Sequence, residues 1–354
     1  MDQENFFHNY CHGPVAEIIF SEETCKATSE LILEHSILSN FRNIRTAKVL
    51  CFGTGKEAIA FSRIGALHVD NIDISGSNVS MFSEHLKKNF SRLKIKAKKM
   101  DIVMDPLPPF TYDFVYMNGV VQHLSNPEAG LANVSHSIKL GGKIWVYFYR
   151  SGTFKWFVIS MIRDLVSKDE IDEYFLASQL LYSKGDNQSF LVGHVMEYFF
   201  APHIYLYEPG TYIEFMNALG FRIVGSAHMD PIGPINHEAA YHSGALIFKR
   251  QHKVDASFVC TELFSPEKSV DQLDMSLYKN QNPKILEAIS TYKEVKSLLC
   301  NNKMLKMALC FGLFQIISSD NIEKKFPIKG EKIKPNYDEL IQLLRSVTRK
   351  SDKK

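Results

Sequence analysis

Between Lys48 and Tyr149 the chain alternates short apolar runs with helical stretches, and this rhythm restricts the fold more than any other feature. The apolar runs are Lys48 to Phe52, Val69 to Ile74, Ile95 to Met100, Phe114 to Met117 and Lys143 to Tyr149. Between them, 56–64, 79–90 and 128–138 carry apolar residues at helical spacing. Strands joined through helices pair in parallel, because a parallel neighbour can be reached only by a crossover. The alternation resumes later, with a helix at 211–219, a strand at 221–227, a loop at 229–241 and a strand at 244–248. The pattern predicts an α/β fold with a doubly wound, seven-stranded, mostly parallel sheet.

The first unit of that pattern carries chemistry. After the strand ending at Phe52 come Gly53, Thr54 and Gly55, then a helix, then a strand that delivers Asp73 and Ile74. Glycine is needed where the backbone takes unusual angles or approaches a ligand closely. The Asp73 carboxylate can accept two hydrogen bonds from a ribose diol. This is half a nucleoside-binding site and points to an adenosine-containing cofactor. Gly53-x-Gly55-x-x-Ala58 fits the dinucleotide fingerprint equally well, so NAD stays open at this level.

Composition removes several classes. A chain of 354 residues, 45% of them hydrophobic, has ample material for one large domain or two moderate ones. A net charge of +2 gives no global basic field for nucleic acid, and the lysine-rich stretches at 94–99 and after 324 read as solvated surface. The six cysteines form no C-x-x-C pair and show no ligand spacing, so no zinc site or disulfide framework is expected. The N-terminus has no apolar signal core, and the run from Met307 to Ile317 is too short to span a bilayer. The expectation is a soluble cytoplasmic protein without membrane or nucleic-acid partners.

Around the sheet pattern lie three helical regions. Residues 1–40 form an N-terminal helical segment ahead of a 41–250 domain. Residues 151–200 are helical and rich in aromatic side chains, among them Trp156, Phe157, Tyr174 and Phe199. They read as a cap inserted ahead of the last two strands, its rings mostly core and its lining suited to an apolar or aromatic small molecule. Residues 251–354 read as a helical extension that packs on the domain, forms a homodimer or holds a partner. Tyr205 and Tyr207 alternate with Ile204 and Leu206, which would turn both hydroxyls to one side.

The layout resembles the class I S-adenosylmethionine-dependent methyltransferases over roughly residues 41–250. Val49-Leu-Cys-Phe-Gly-Thr-Gly-Lys-Glu57 is similar to the family's first motif, and Asp73 stands at its ribose-binding acid. Asp101-Ile102 resembles the pair that faces the adenine. Tyr112-Asp-Phe-Val-Tyr-Met-Asn-Gly-Val-Val-Gln-His-Leu-Ser-Asn-Pro-Glu128 resembles the segment after the fourth strand, and Leu140-Gly-Gly-Lys-Ile-Trp-Val146 the turn into the fifth. The dinucleotide reading gives no account of these downstream segments.

The resemblance implies an enzyme that transfers a methyl group from S-adenosylmethionine to an O, N or C atom of a small molecule. It assigns cofactor contacts to Phe52, Gly53, Thr54, Gly55, Asp73, Ile74, Asp101, Ile102, Asn118 and Gly119. His123, above the methyl group, is either a catalytic base or a histidine that shapes the loop. Two departures stand out. Cys51 replaces the acid expected at the end of the first strand, and Glu57 stands at the third glycine position, where its carboxylate would partly replace that acid. Cys51 and the large helical tail motivate an alternative, a non-catalytic cofactor-binding or scaffold protein; an NAD-dependent oxidoreductase ranks third. Pro108-Pro109-Phe110 reads as a loop and not as a nucleic-acid amino-methylation motif. The histidine-rich stretch 228–242, with His194 and His203, lacks the spacing of a metal site.

Overall fold

The computed structural model describes residues 3–34, 44–182, 189–227, 243–254, 270, 284–299, 302–322 and 336–351. They fall into two compact units. The first holds the described residues up to Tyr149, 201–227 and 243–254; the second holds 150–200 and those from 270 onward.

The first unit is built on a seven-stranded sheet: β1 (Lys48–Phe52), β2 (His68–Asp73), β3 (Ile95–Lys99), β4 (Tyr112–Met117), β5 (Ile138–Tyr149), β6 (Phe221–Ala227) and β7 (Ser243–Arg250). Their spatial order is β3-β2-β1-β4-β5-β7-β6. The first five pair in parallel, and β7 lies antiparallel between β5 and β6. The winding runs outward through β2 and β3 on one side of β1 and through β4 and β5 on the other. The carboxyl ends of β1 and β4 therefore meet at the topological switch point, where sheets of this kind hold their ligands.

β1 is central because its residues suit burial on both faces: Val49, Leu50, Cys51 and Phe52 are all buried. One face of the sheet sends Leu50, Phe52, Ile72, Val115 and Met117 into a continuous core with Phe148, Tyr207 and Tyr212. The other stacks Trp145 on Tyr116 with ring centroids 4.3 Å apart, and Tyr116 meets the edge of Phe61. The sequence reads Gly141-Gly142 as a turn before a strand at Lys143. Strand pairing instead starts at Ile138 opposite Tyr112 and resumes with Lys143 opposite Phe114, so residues 139–142 form a bulge inside β5. Arg250, buried at the end of β7, donates to the carbonyls of Ser135 and Ile138, each at 2.6 Å, and ties the β7 terminus to the helix ahead of β5.

The second unit is helical. Helices Phe154–Leu165, Ile171–Tyr182 and Ser189–Phe200 of the insertion pack with Lys284–Leu299, Lys303–Ile322 and Tyr337–Ser351 of the C-terminal region. Phe311 stacks on Tyr174, and Phe314 lies against Tyr182 and Phe199. Asp164 receives the Tyr292 hydroxyl at 2.8 Å and the Lys296 ammonium at 2.6 Å. The insertion's rings are thus core, shared with helices more than a hundred residues downstream. Lys155 is buried beside Tyr198, and its burial pushes the amine down to about 7. No described helix is long and apolar enough to cross a membrane.

Candidate functional site

At the carboxyl end of β1 the chain turns through Gly53, with φ of 83°, and Gly55, with φ of 103°. A Cβ on Gly53 would meet nothing within 4 Å, so its backbone faces open space. A Cβ on Gly55 would lie 2.5 Å from the Phe82 ring, which leaves only glycine there. Asn71 Nδ2 holds the Gly53 carbonyl at 2.8 Å, and the Gly53 amide donates to Ile72. Thr54 and Phe52 are buried beside this turn.

Asp73 ends β2. Its carboxylate accepts from the Ser75 amide at 2.7 Å and from Asn78 Nδ2 at 3.2 Å. Enclosure by the protein nonetheless raises its carboxyl to about 6, with the two hydrogen bonds opposing the shift. The Asp73 carbonyl accepts from Met100, which brings the end of β3 alongside, while Ile74 is half-buried. There the Asp101 carboxylate accepts from the Val103 amide at 2.9 Å and shapes the turn through Asp105, and Ile102 is buried in the core.

Beyond β4, Asn118 Nδ2 donates to the buried Glu57 carboxylate at 3.1 Å. Gly119 comes next, with φ of 67°. Cys51 is fully buried and its thiol is pushed well up by desolvation, then by the nearby Glu57 charge. It is a neutral group, and the acidic side chain beside this turn is Glu57. A bare backbone at Gly53, a carboxylate at Asp73 and an acid at Glu57 fit a nucleoside with a cationic amino-acid end.

His123 is buried, with its ring edge against Phe7 and its other side meeting Tyr149. Its Nδ1 lies 2.9 Å from the His203 carbonyl. A carbonyl only accepts, so Nδ1 carries the proton and, in the neutral ring, Nε2 carries the lone pair. Tyr207 and Tyr205 both turn to this loop: their hydroxyls donate to the carbonyls of Val121 at 2.9 Å and Ser125 at 3.3 Å. They share a side, as their alternation predicts, and they hold the loop.

The N-terminal segment is the part of the site that no motif announces. Its residues 7–12 form a π-helix, a rare conformation that recurs at functional sites. Gln3 donates to the His123 carbonyl and Glu4 pairs with Lys99. His8 and His12 reach Asn78 at 2.9 and 3.2 Å. One short segment thereby touches the helix after β2, the end of β3 and the loop after β4. The histidine-rich stretch 228–242 lies outside the described residues; His194 stacks on Tyr198 in the helical unit, and His203 supplies the carbonyl to His123. Among the described residues no group of three metal-ligating side chains forms, and the described cysteines, Cys11, Cys25, Cys51 and Cys310, form no disulfide.

Residues 49–146 match the family described as "Methyltransferase domain". No curated protein matches the sequence. Among solved structures, the magnesium protoporphyrin IX methyltransferase of Synechocystis PCC 6803 with bound S-adenosylmethionine is similar at 12% identity, covering 71% of this chain and 98% of that one, with a TM-score of 0.44. An S-adenosylmethionine-dependent methyltransferase from Mesorhizobium loti is similar at 12% identity over 64% of this chain and 100% of that one, TM-score 0.43. The 1,6-didemethyltoxoflavin-N1-methyltransferase of Burkholderia thailandensis is similar at 13% identity over 64% and 78%, TM-score 0.37. Residues 49–146 thus carry a methyltransferase domain, set in a seven-stranded sheet of order β3-β2-β1-β4-β5-β7-β6.

Proposed function

We propose that the protein methylates an O, N or C atom of a small, apolar or aromatic molecule, with His123 as the base. The observation that carries this reading is the hydrogen bond from His123 Nδ1 to the His203 carbonyl, which directs the basic Nε2 away from that carbonyl in a setting of aromatic rings. S-adenosylmethionine, when bound, supplies a methyl group activated by its sulfonium. Gly53 and Gly55 would pass beneath its amino-acid end, Asp73 hold the ribose, and Glu57 and Asn118 face the methionine terminus. Asp101 and Ile102 would face the adenine. His123 Nε2 takes the proton that the acceptor atom releases and returns it to solvent. The rings of Phe7 and Tyr149 pack against the imidazole, and alignment of acceptor and methyl group supplies much of the rate.

The test is calorimetric titration with S-adenosylhomocysteine and with NAD, followed by methyl transfer from labelled cofactor to a small-molecule cell extract. Micromolar binding of S-adenosylhomocysteine alone supports the reading, and tight NAD binding defeats it. Asp73→Ala should abolish labelling. A wild-type protein that binds S-adenosylhomocysteine but labels nothing would favour a non-catalytic role.

A further inference from the structure

Between Asn118 and His123 lies a side chain that the methyl-transfer reading does not use. Gln122 is 0% exposed, and neither its Oε1 nor its Nε2 has a hydrogen-bond partner. Burying a carboxamide without replacing its bonds to water is costly, and native proteins rarely leave such a group unexplained. The amide is not needed to place the loop. The backbone does that: the Gln122 carbonyl accepts from the Tyr205 amide at 2.9 Å, and the Val121 carbonyl accepts the Tyr207 hydroxyl.

The position of the amide is also defined. Of all heavy atoms outside the adjoining residues, Nε2 of Gln122 is the one within 4 Å of a Cβ placed on Gly119, at 3.8 Å. The carboxamide therefore lies by the Asn118-Gly119 turn at the carboxyl end of β4. Asn118 is held by Glu57, and His123 Nδ1 is held by His203. Gln122 brings to the same loop a donor and an acceptor, side by side and unspent.

We propose that Gln122 is a ligand-reading residue of the methyl-transfer site, pairing with a ligand group that presents a hydrogen-bond donor and acceptor together. Two sources carry that chemistry: the ammonium and carboxylate of the cofactor's amino-acid end, and an amide or hydroxy-carbonyl edge on the methyl acceptor. The inference rests on the methyl-transfer reading.

Gln122→Leu and the closer-sized Gln122→Met remove both polar atoms. In the full-length free protein each should hold or raise the thermal midpoint, because the unpaired amide is gone. If the cofactor is read, S-adenosylhomocysteine binding by calorimetry weakens roughly tenfold or more, the effect of losing one or two buried hydrogen bonds. If the acceptor is read, that binding stays within about twofold and labelling of the extract falls roughly tenfold or more. Normal binding together with normal labelling in either folded variant overturns the proposal. So does a lower midpoint in both variants, which would mean that the amide serves the fold. Failure of the wild-type protein to bind S-adenosylhomocysteine would instead remove the methyl-transfer reading beneath it.

Discussion

Asn118 and Glu57 are joined by a hydrogen bond of 3.1 Å that ties the loop after β4 to the first turn of the helix after β1. It spans the switch point of the sheet, and it places a buried carboxylate beside the neutral Cys51 thiol. The acid beside this turn comes from the helix and not from the end of the strand.

Glu57→Gln keeps an acceptor for Asn118 and removes the charge. Its thermal midpoint should stay within a few degrees of wild type, while S-adenosylhomocysteine binding weakens roughly tenfold as a charge-assisted hydrogen bond is lost. Glu57→Ala should lower both. Unchanged affinity in the glutamine variant would show that Glu57 serves only the loop.

Asp73 titrates at about 6 in the fold, above the ordinary carboxylate value. The native state then holds a proton that the unfolded chain has released, so this group's contribution to stability falls as pH rises from about 4 to about 6. In the proposed role at the ribose Asp73 needs its carboxylate, so binding moves the other way: S-adenosylhomocysteine affinity should rise through pH 6 and level off above it. Asp73→Asn should flatten that profile and raise the thermal midpoint at pH 7.5 more than at pH 5. A wild-type affinity that is flat between pH 5 and pH 7.5 would be the contrary result.

Asn78 accepts from His8 through Oδ1, and its Nδ2 donates to His12 and to Asp73. Asn78→Ala should loosen the N-terminal segment, seen as faster amide exchange over residues 7–13 with the exchange of β1 and β4 unchanged. Binding of S-adenosylhomocysteine to the wild-type protein should slow exchange in the same residues. If neither changes, the segment is merely packed against the sheet.

At the opposite end of the sheet, Tyr112 donates to Asp70 at 2.8 Å, and Asp70 is 2% exposed. Burial pushes the Asp70 carboxyl up, but Tyr112, His68 and the lysines at 48 and 98 more than offset it, so its pKa is lowered. Stability from this group is present above the unfolded carboxylate value near 4 and is lost as pH falls through the folded one. Tyr112→Phe should cost about 1.5–3 kcal/mol in urea unfolding at pH 7, the range for a hydrogen bond to a charged group. The cost should shrink in acid.

The sheet was legible because β1, β2 and β4 are short and each is succeeded by a helix with its own period. Gly53, Asp73 and Asn118 were legible because a turn, a strand end and a loop end must lie together once the winding is known. Gly53-x-Gly55 alone admitted NAD; the match through residue 146 decided for S-adenosylmethionine. The N-terminal contacts were not legible. Gln3, Phe7, His8 and His12 form no motif, and their partners outside the segment, His123 and Asn78, lie at least 66 residues away in sequence. Gln122 gave no signal either, since an unpaired amide is defined by its surroundings. The bulge in β5 was hidden because a glycine pair reads the same whether a strand ends or buckles.

The helical unit is discontinuous, and that bears on how the protein is made. Its first helices leave the ribosome at 154–200, whereas Phe311 and Phe314, which cover Tyr174, Tyr182 and Phe199, emerge more than a hundred residues later. At ordinary synthesis speeds those rings wait roughly 5–20 s for their partners. A chain stopped after Arg250 would contain every described strand and all of the matched residues, yet would lack the Phe311 and Phe314 rings that pack on its aromatic insertion. Such a fragment should depend on chaperones or aggregate, because exposed ring surface of that size favours association.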